Sequence, residues 1–132
     1  MINLEDLNLA KDVRKNAKCN CSKYSVGAVL KTKSGNRYCG CNIENDGIQS
    51  ICAERVAFVK AISEGEHEFD SILILGAQRE SENLKRTLPC GYCRQFMSEF
   101  VGKDFKIYTS YNNKIEEYTI EELFPYEFHL ER

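Results

Sequence analysis

Ser71-Ile72-Leu73-Ile74-Leu75-Gly76-Ala77 is a short apolar run with no polar alternation. A half-exposed strand would place a polar residue at every second position. An unbroken run suits a strand buried on both faces, which needs helices above and below it. Working outward supplies them. Upstream, residues 52–64 read as a helix, with Cys52, Val56, Val59 and Ile62 on or near one stripe and Gly65 as its stop. Before it, residues 25–32 (SVGAVLKT), the turn Lys33-Ser34-Gly35-Asn36 and residues 37–43 (RYCGCNI) form a β-hairpin signature. A first helix is expected over residues 4–18, capped by Asn3, with Glu5 and Asp6 in its first turn. Leu7, Ala10, Val13 or Arg14, and Ala17 fall near helical spacing. Downstream, a helix runs from Cys90-Gly91 to Phe100, and a strand over residues 104–111 is broken by Asn112-Asn113. There is room for a further strand before a short last helix, for which Thr119 and Glu122 have capping-box spacing. The hairpin implies an antiparallel pair, and the later alternation of strands and helices implies crossovers. The expected fold class is therefore α/β, a mixed sheet with helices on its faces. No repeat, low-complexity stretch or Pro/Gly-rich linker divides the chain, so residues 1–132 are expected to form one domain.

Composition narrows the function. The hydrophobic fraction is 42%, the charged fraction 29%, and the formal net charge -2. No block of Lys and Arg would track a phosphate backbone, so no nucleic-acid partner is expected. Lys11, Arg14, Lys15 and Lys18 cluster, but at helical spacing, and read as a solvated helix face. No stretch approaches the roughly 20 apolar residues of a membrane helix, and no membrane partner is expected. The start, MINLEDLN, lacks the basic and apolar regions of a secretion signal. The expected compartment is the cytoplasm, where the seven cysteines stay reduced and serve metal binding or catalysis rather than disulfides.

Two short segments concentrate chemistry: Cys52-Ala53-Glu54-Arg55 and Pro89-Cys90-Gly91-Tyr92-Cys93-Arg94-Gln95. Cys90-x-x-Cys93 alone fits a metal site, a redox pair or two buried thiols. The combination is sharper. Cys, one residue, Glu, then Pro-Cys-x-x-Cys is the signature of zinc deaminases with Cys at the first position. Three protein ligands leave the fourth position of Zn²⁺ open, as catalysis requires. Cys90 and Cys93 face one way in a first helical turn, and Cys52 opens another helix. Helix N-termini favour thiolates. Three thiolates leave the site at a formal charge of about -1, which blunts the metal as a Lewis acid. Arg55 is the expected cation beside the sulfurs, and Arg94 a weaker candidate. The expected chemistry is hydrolytic. Glu54 takes a proton from a metal-activated water, then returns protons to N3 of a cytosine and to the leaving ammonia.

Taken with Val26-Gly27-Ala28, Asn42-Ile43-Glu44-Asn45 and Leu123-Phe124-Pro125, these segments resemble the homotetrameric cytidine deaminases of the cytidine/deoxycytidylate deaminase superfamily. The resemblance implies a three-layer α-β-α sandwich around a mixed five-stranded sheet, with one Zn²⁺ per chain held by Cys52, Cys90 and Cys93. It implies that Asn42 and Glu44 hold the ribose hydroxyls, and that Tyr24, where the family usually has Phe, packs on the base. Ala53 is a further expected substrate contact. It also implies a homotetramer in which Phe128 reaches an adjoining site, and a nucleoside substrate in pyrimidine salvage. This chain departs from the family at Cys21, where Tyr is usual. The loop of residues 46–51 is also about one residue short and lacks the usual Tyr.

Cys19, Cys21, Cys39 and Cys41 form two Cys-x-Cys pairs. They read as small apolar side chains, with a second metal site as the alternative. His67 and His129 read as surface residues. The leading function is deamination of cytidine and 2′-deoxycytidine. The alternatives are deamination of another cytosine-bearing small molecule such as blasticidin S, and a non-catalytic zinc-binding domain.

Overall fold

A computed structural model describes residues 2–131. The first helix, α1 (Leu4–Arg14), begins in a reciprocal cap. The Asn3 side chain accepts from the Asp6 N–H, and the Asp6 carboxylate accepts from the Asn3 N–H, both at 2.9 Å. The helix ends four residues before the expected limit at 18. The cause is tertiary pairing: the Lys18 N–H donates to Asn42 O, and the Glu44 N–H to Lys18 O, so this stretch runs beside Ile43 instead.

Arg14 also departs from expectation. It is buried rather than solvated, with Nε donating to Ser25 O and Nη2 to Gln78 O and Ser81 O. Its guanidinium satisfies carbonyls at one end of the sheet, while Lys11, Lys15 and Lys18 are exposed as expected.

The strands are β1 (Tyr24–Thr32), β2 (Arg37–Cys41), β3 (Phe69–Gln78), β4 (Lys106–Tyr111) and β5 (Lys114–Thr119). They form one mixed sheet in the order β2-β1-β3-β4-β5, antiparallel except for the β3–β4 pair. The apolar run 71–77 is the heart of β3, at the sheet centre. Its side chains alternate between two cores. Leu73 and Leu75 meet Ala10 and Val29 under α1. Ile72 and Ile74 meet Ala57, Phe58, Cys93 and Met97 under α2 (Ala53–Ser63) and α3 (Gly91–Ser98). The sheet therefore lies between helices in three layers. A short α4 (Ile120–Leu123) follows the Thr119–Glu122 capping box.

The buried face of α2 is Ala53, Glu54, Ala57, Phe58 and Ala61, not the stripe of larger residues expected from the sequence; Val59 is exposed. Close approach explains the difference. A Cβ on Gly40 of β2 would lie 2.5 Å from Ala53 O and 2.6 Å from Ala57 N. The helix thus presses its alanines onto a strand that offers only hydrogen there. The contact brings the start of α2 to the end of the sheet where β1 begins and β2 and β3 end. The connection from β3 leads there into α3.

Candidate active site

Cys52 and Cys90 are the N-cap residues of α2 and α3, both extended, and Cys93 lies in the first turn of α3. Their three sulfurs lie within 4.8 Å of one another, with Cys52–Cys90 at 3.8 Å and Cys90–Cys93 at 3.6 Å. Zn–S bonds of about 2.3 Å at tetrahedral corners place sulfurs about 3.8 Å apart, so the donor set and its spacing fit Zn²⁺. Cys52 is pulled down to about 5 by the hydrogen bond from Cys93, against its burial, with Arg55 and Cys90 assisting. The hydrogen bond to Cys52, then burial, holds the thiol of Cys93 above its ordinary range. A cation among the three sulfurs would take the place of the thiol protons. Among the described residues no other trio of His, Cys, Asp and Glu side chains converges in this way. Cys19, Cys21, Cys39 and Cys41 are free thiols outside it.

Arg55 Nη2 donates to Cys52 Sγ at 3.6 Å, and its guanidinium carbon sits 4.0 Å from the centroid of the Tyr92 ring. Its Nε is buried without a partner. This is the expected cation beside the sulfurs. Arg94 is not a second one: it donates to Pro89 O and Leu123 O, tying α3 to α4.

Glu54 points into the same region and is 4% exposed. Burial, followed by the neighbouring Cys52, pushes its carboxyl up to about 7; its own backbone N–H and Arg55 pull the other way. A carboxyl poised near neutrality can both take and give a proton.

Tyr24, Val26, Asn42, Glu44, Cys52, Ala53, Glu54, Arg55, Cys90 and Tyr92 all line one cleft of about 520 Å³. Eight of the ten expected site residues line it, and Cys93 joins them through the sulfur cluster. Phe128 does not: it is 63% exposed, its carbonyl accepting from Gln95 Nε2 in the middle of α3.

Asn42 is 8% exposed, and its amide is committed to the backbone of β1. Oδ1 accepts from the Val26 N–H, and Nδ2 donates to Tyr24 O and, at 3.5 Å, to Glu44 Oε2. Glu44 accepts from the Cys21 and Ser22 N–H groups and the Ser22 hydroxyl. Burial would raise its carboxyl, but Ser22, Cys21 and Asn42 outweigh that and hold it below the ordinary range. Glu44 is thus a fixed carboxylate in the same cleft as the sulfurs. Thr87 and Leu88 also line the cleft and were missed in the sequence, although their position just before Pro89-Cys90 was a signal. Ser22 carried no local signal.

Residues 4–119 match the family described as the cytidine and deoxycytidylate deaminase zinc-binding region. The chain belongs to that family. Among the deaminase relatives, a cytidine deaminase of Sporosarcina psychrophila is 39% identical over 118 residues, covering 88% of this chain and 83% of that one. A blasticidin-S deaminase of Bacillus cereus is 32% identical over 111 residues, covering 81% and 79%. The 1.6 Å crystal structure of a cytidine deaminase from Burkholderia pseudomallei superposes with a TM-score of 0.84 at 30% identity, covering 97% of this chain and all of that one. The deaminase family is a zinc-binding one, and the Cys52, Cys90 and Cys93 cluster is placed for one ion per chain.

Proposed function

We propose that this chain is a zinc-dependent hydrolase that converts cytidine and 2′-deoxycytidine to uridine and 2′-deoxyuridine with release of ammonia, in pyrimidine salvage. The observation that carries the reading is the buried carboxyl of Glu54 beside three convergent sulfurs, in one cleft with the fixed carboxylate of Glu44. Cys52, Cys90 and Cys93 would hold Zn²⁺, which when bound supplies Lewis-acid activation of water. Glu54 takes the proton that water loses and passes it to N3 of the base. As the water oxygen bonds to C4, Glu54 next takes the proton left on that oxygen and delivers it to the exocyclic nitrogen while the C4–N bond breaks and C4=O forms, so water and cytidine leave as uridine and ammonia. Arg55 offsets the excess negative charge of three thiolates. Glu44 accepts a sugar hydroxyl, with Asn42 orienting it; the Tyr24 ring and Ala53 bound the base.

One deaminase domain over residues 1–132 accounts for this chemistry. Ile48, Phe128 and Leu130 are exposed at 91%, 63% and 62%. Exposed apolar side chains of this kind suit burial between subunits, in keeping with a homotetramer to which Phe128 contributes. Free cysteines throughout and a slightly acidic chain suit the cytoplasm and a small-molecule partner rather than nucleic acid. Among the described residues no helix is long and apolar enough to cross a membrane. A second reading is favoured by the altered loop 46–51 and by the blasticidin-S deaminase relative: another cytosine-bearing small molecule is the preferred substrate.

The test is zinc-loaded protein assayed by ultraviolet loss of the aminopyrimidine band on cytidine, deoxycytidine, cytosine, dCMP and blasticidin S. Turnover of the two nucleosides is expected, with kcat reduced by at least about a hundredfold in Glu54→Gln at full zinc occupancy. Near-normal turnover in that variant refutes the role of Glu54. Preference for blasticidin S selects the second reading, and silence on all five substrates leaves a zinc-binding domain.

A further inference from the structure

Tyr24 lines the cleft, and its hydroxyl is not idle. It lies 2.7 Å from Thr87 Oγ1. The Thr87 hydroxyl in turn donates to Lys85 O at 3.0 Å. Thr87 has one hydroxyl proton, and that bond uses it, so Tyr24 is the donor to Thr87. The Thr87 N–H donates to Thr109 Oγ1 on β4 at 3.0 Å. The connection that delivers Leu88, Pro89 and Cys90 is therefore anchored to two strands by side chains, just three residues before a metal ligand.

The sheet is shaped for this pairing. Gly76 of β3 pairs with Val26 of β1, and a Cβ there would collide with Thr87 Oγ1 and come within 2.8 Å of the Tyr24 ring. At its other end Tyr24 offers its carbonyl to Asn42 Nδ2 at 2.9 Å, and Asn42 touches Glu44. One residue thus joins the Asn42–Glu44 lip by its backbone to the Cys90 connection by its hydroxyl.

We infer that the Tyr24 hydroxyl is a positioning residue: through Thr87 it fixes the metal-bearing connection against the substrate-holding lip of the cleft. Its catalytic consequence rests on the function proposed above; its consequence for the metal does not. Misplacement of a substrate against reacting groups is felt in kcat more than in binding. A double-mutant cycle isolates the link.

Tyr24→Phe, Thr87→Val and the double variant are compared with the wild-type protein, each loaded with zinc. Two readouts are taken: steady-state kinetics on cytidine, and the rate of zinc transfer to a chromogenic chelator. Each single variant is expected to lower kcat by about three- to tenfold, with KM changed less than twofold, and to speed zinc release by a similar factor. The double variant is expected to do no more than either single one, and Thr87→Ser, which keeps the hydroxyl, to restore both. Wild-type turnover and zinc release in Tyr24→Phe overturn the inference, as do effects that multiply in the double variant. If the wild-type protein leaves cytidine untouched, the substrate reading fails, and the zinc-release cycle alone decides the link.

Discussion

At the scale of single residues, the cleft separates what a carboxyl does from where it sits. Glu54 and Glu44 differ by environment alone: burial beside Cys52 raises the first, and donated hydrogen bonds lower the second. Arg55 is the one basic side chain seen hydrogen-bonded to the sulfur cluster among the described residues. Arg55→Gln is therefore expected to cost about tenfold in kcat or in zinc retention, measured on zinc-loaded protein and by chelator competition. Unchanged values for both contradict its role. The convergence of Cys52, Glu54, Cys90 and Cys93 was legible in the sequence because it depends on local spacing and on helix starts. Thr87 had only its place before Pro89-Cys90 to mark it; its contacts are set by Gly76, Thr109 and Tyr24, which come from three separate strands. Arg94 misled because its neighbour Cys93 is a site residue while its own partners, Pro89 and Leu123, are backbone carbonyls.

At the scale of elements, the central strand could be read from residues 71–77, because burial on both faces leaves no polar alternation. The face of α2 could not. Hydrophobic periodicity favours large side chains, whereas here the contact selects alanine against Gly40. Gly40→Ala is expected to destabilise the fold by about 2 kcal/mol and to weaken zinc retention, because it forces the start of α2, with Cys52, off the sheet. Urea melts and chelator competition check both parts; a stable variant that releases zinc normally contradicts this packing. On the other face, Asp6 is fully buried between Arg37 Nε at 2.6 Å and Lys31 Nζ at 3.1 Å. Burial would raise its carboxyl, but Asn3, Arg37 and Lys31 together hold it below the ordinary value. A lowered native value means that its stabilisation is complete above the unfolded value of about 3.9 and fades as pH falls through the native one. Asp6→Asn is thus expected to lose about 3 kcal/mol at pH 7, with the gap to wild type closing in acid. A gap independent of pH in urea melts rules out the charge as its cause.

At the scale of the whole molecule, three layers bring two helix starts and the beginning of β1 to one end of the sheet, and that convergence sets three sulfurs placed for one metal ion beside the buried carboxyl of Glu54. A structural zinc site would close the tetrahedron with a fourth protein ligand; a hydrolytic one leaves that corner to solvent or substrate. The exposed Ile48, Phe128 and Leu130 belong to the same scale, as apolar side chains that the proposed assembly would cover. X-ray absorption at the zinc edge of purified protein tests the central claim most directly. One zinc per chain with three sulfur neighbours at about 2.3 Å and one lighter oxygen or nitrogen neighbour is the predicted result. Four sulfurs, or protein that takes up no zinc, would contradict it.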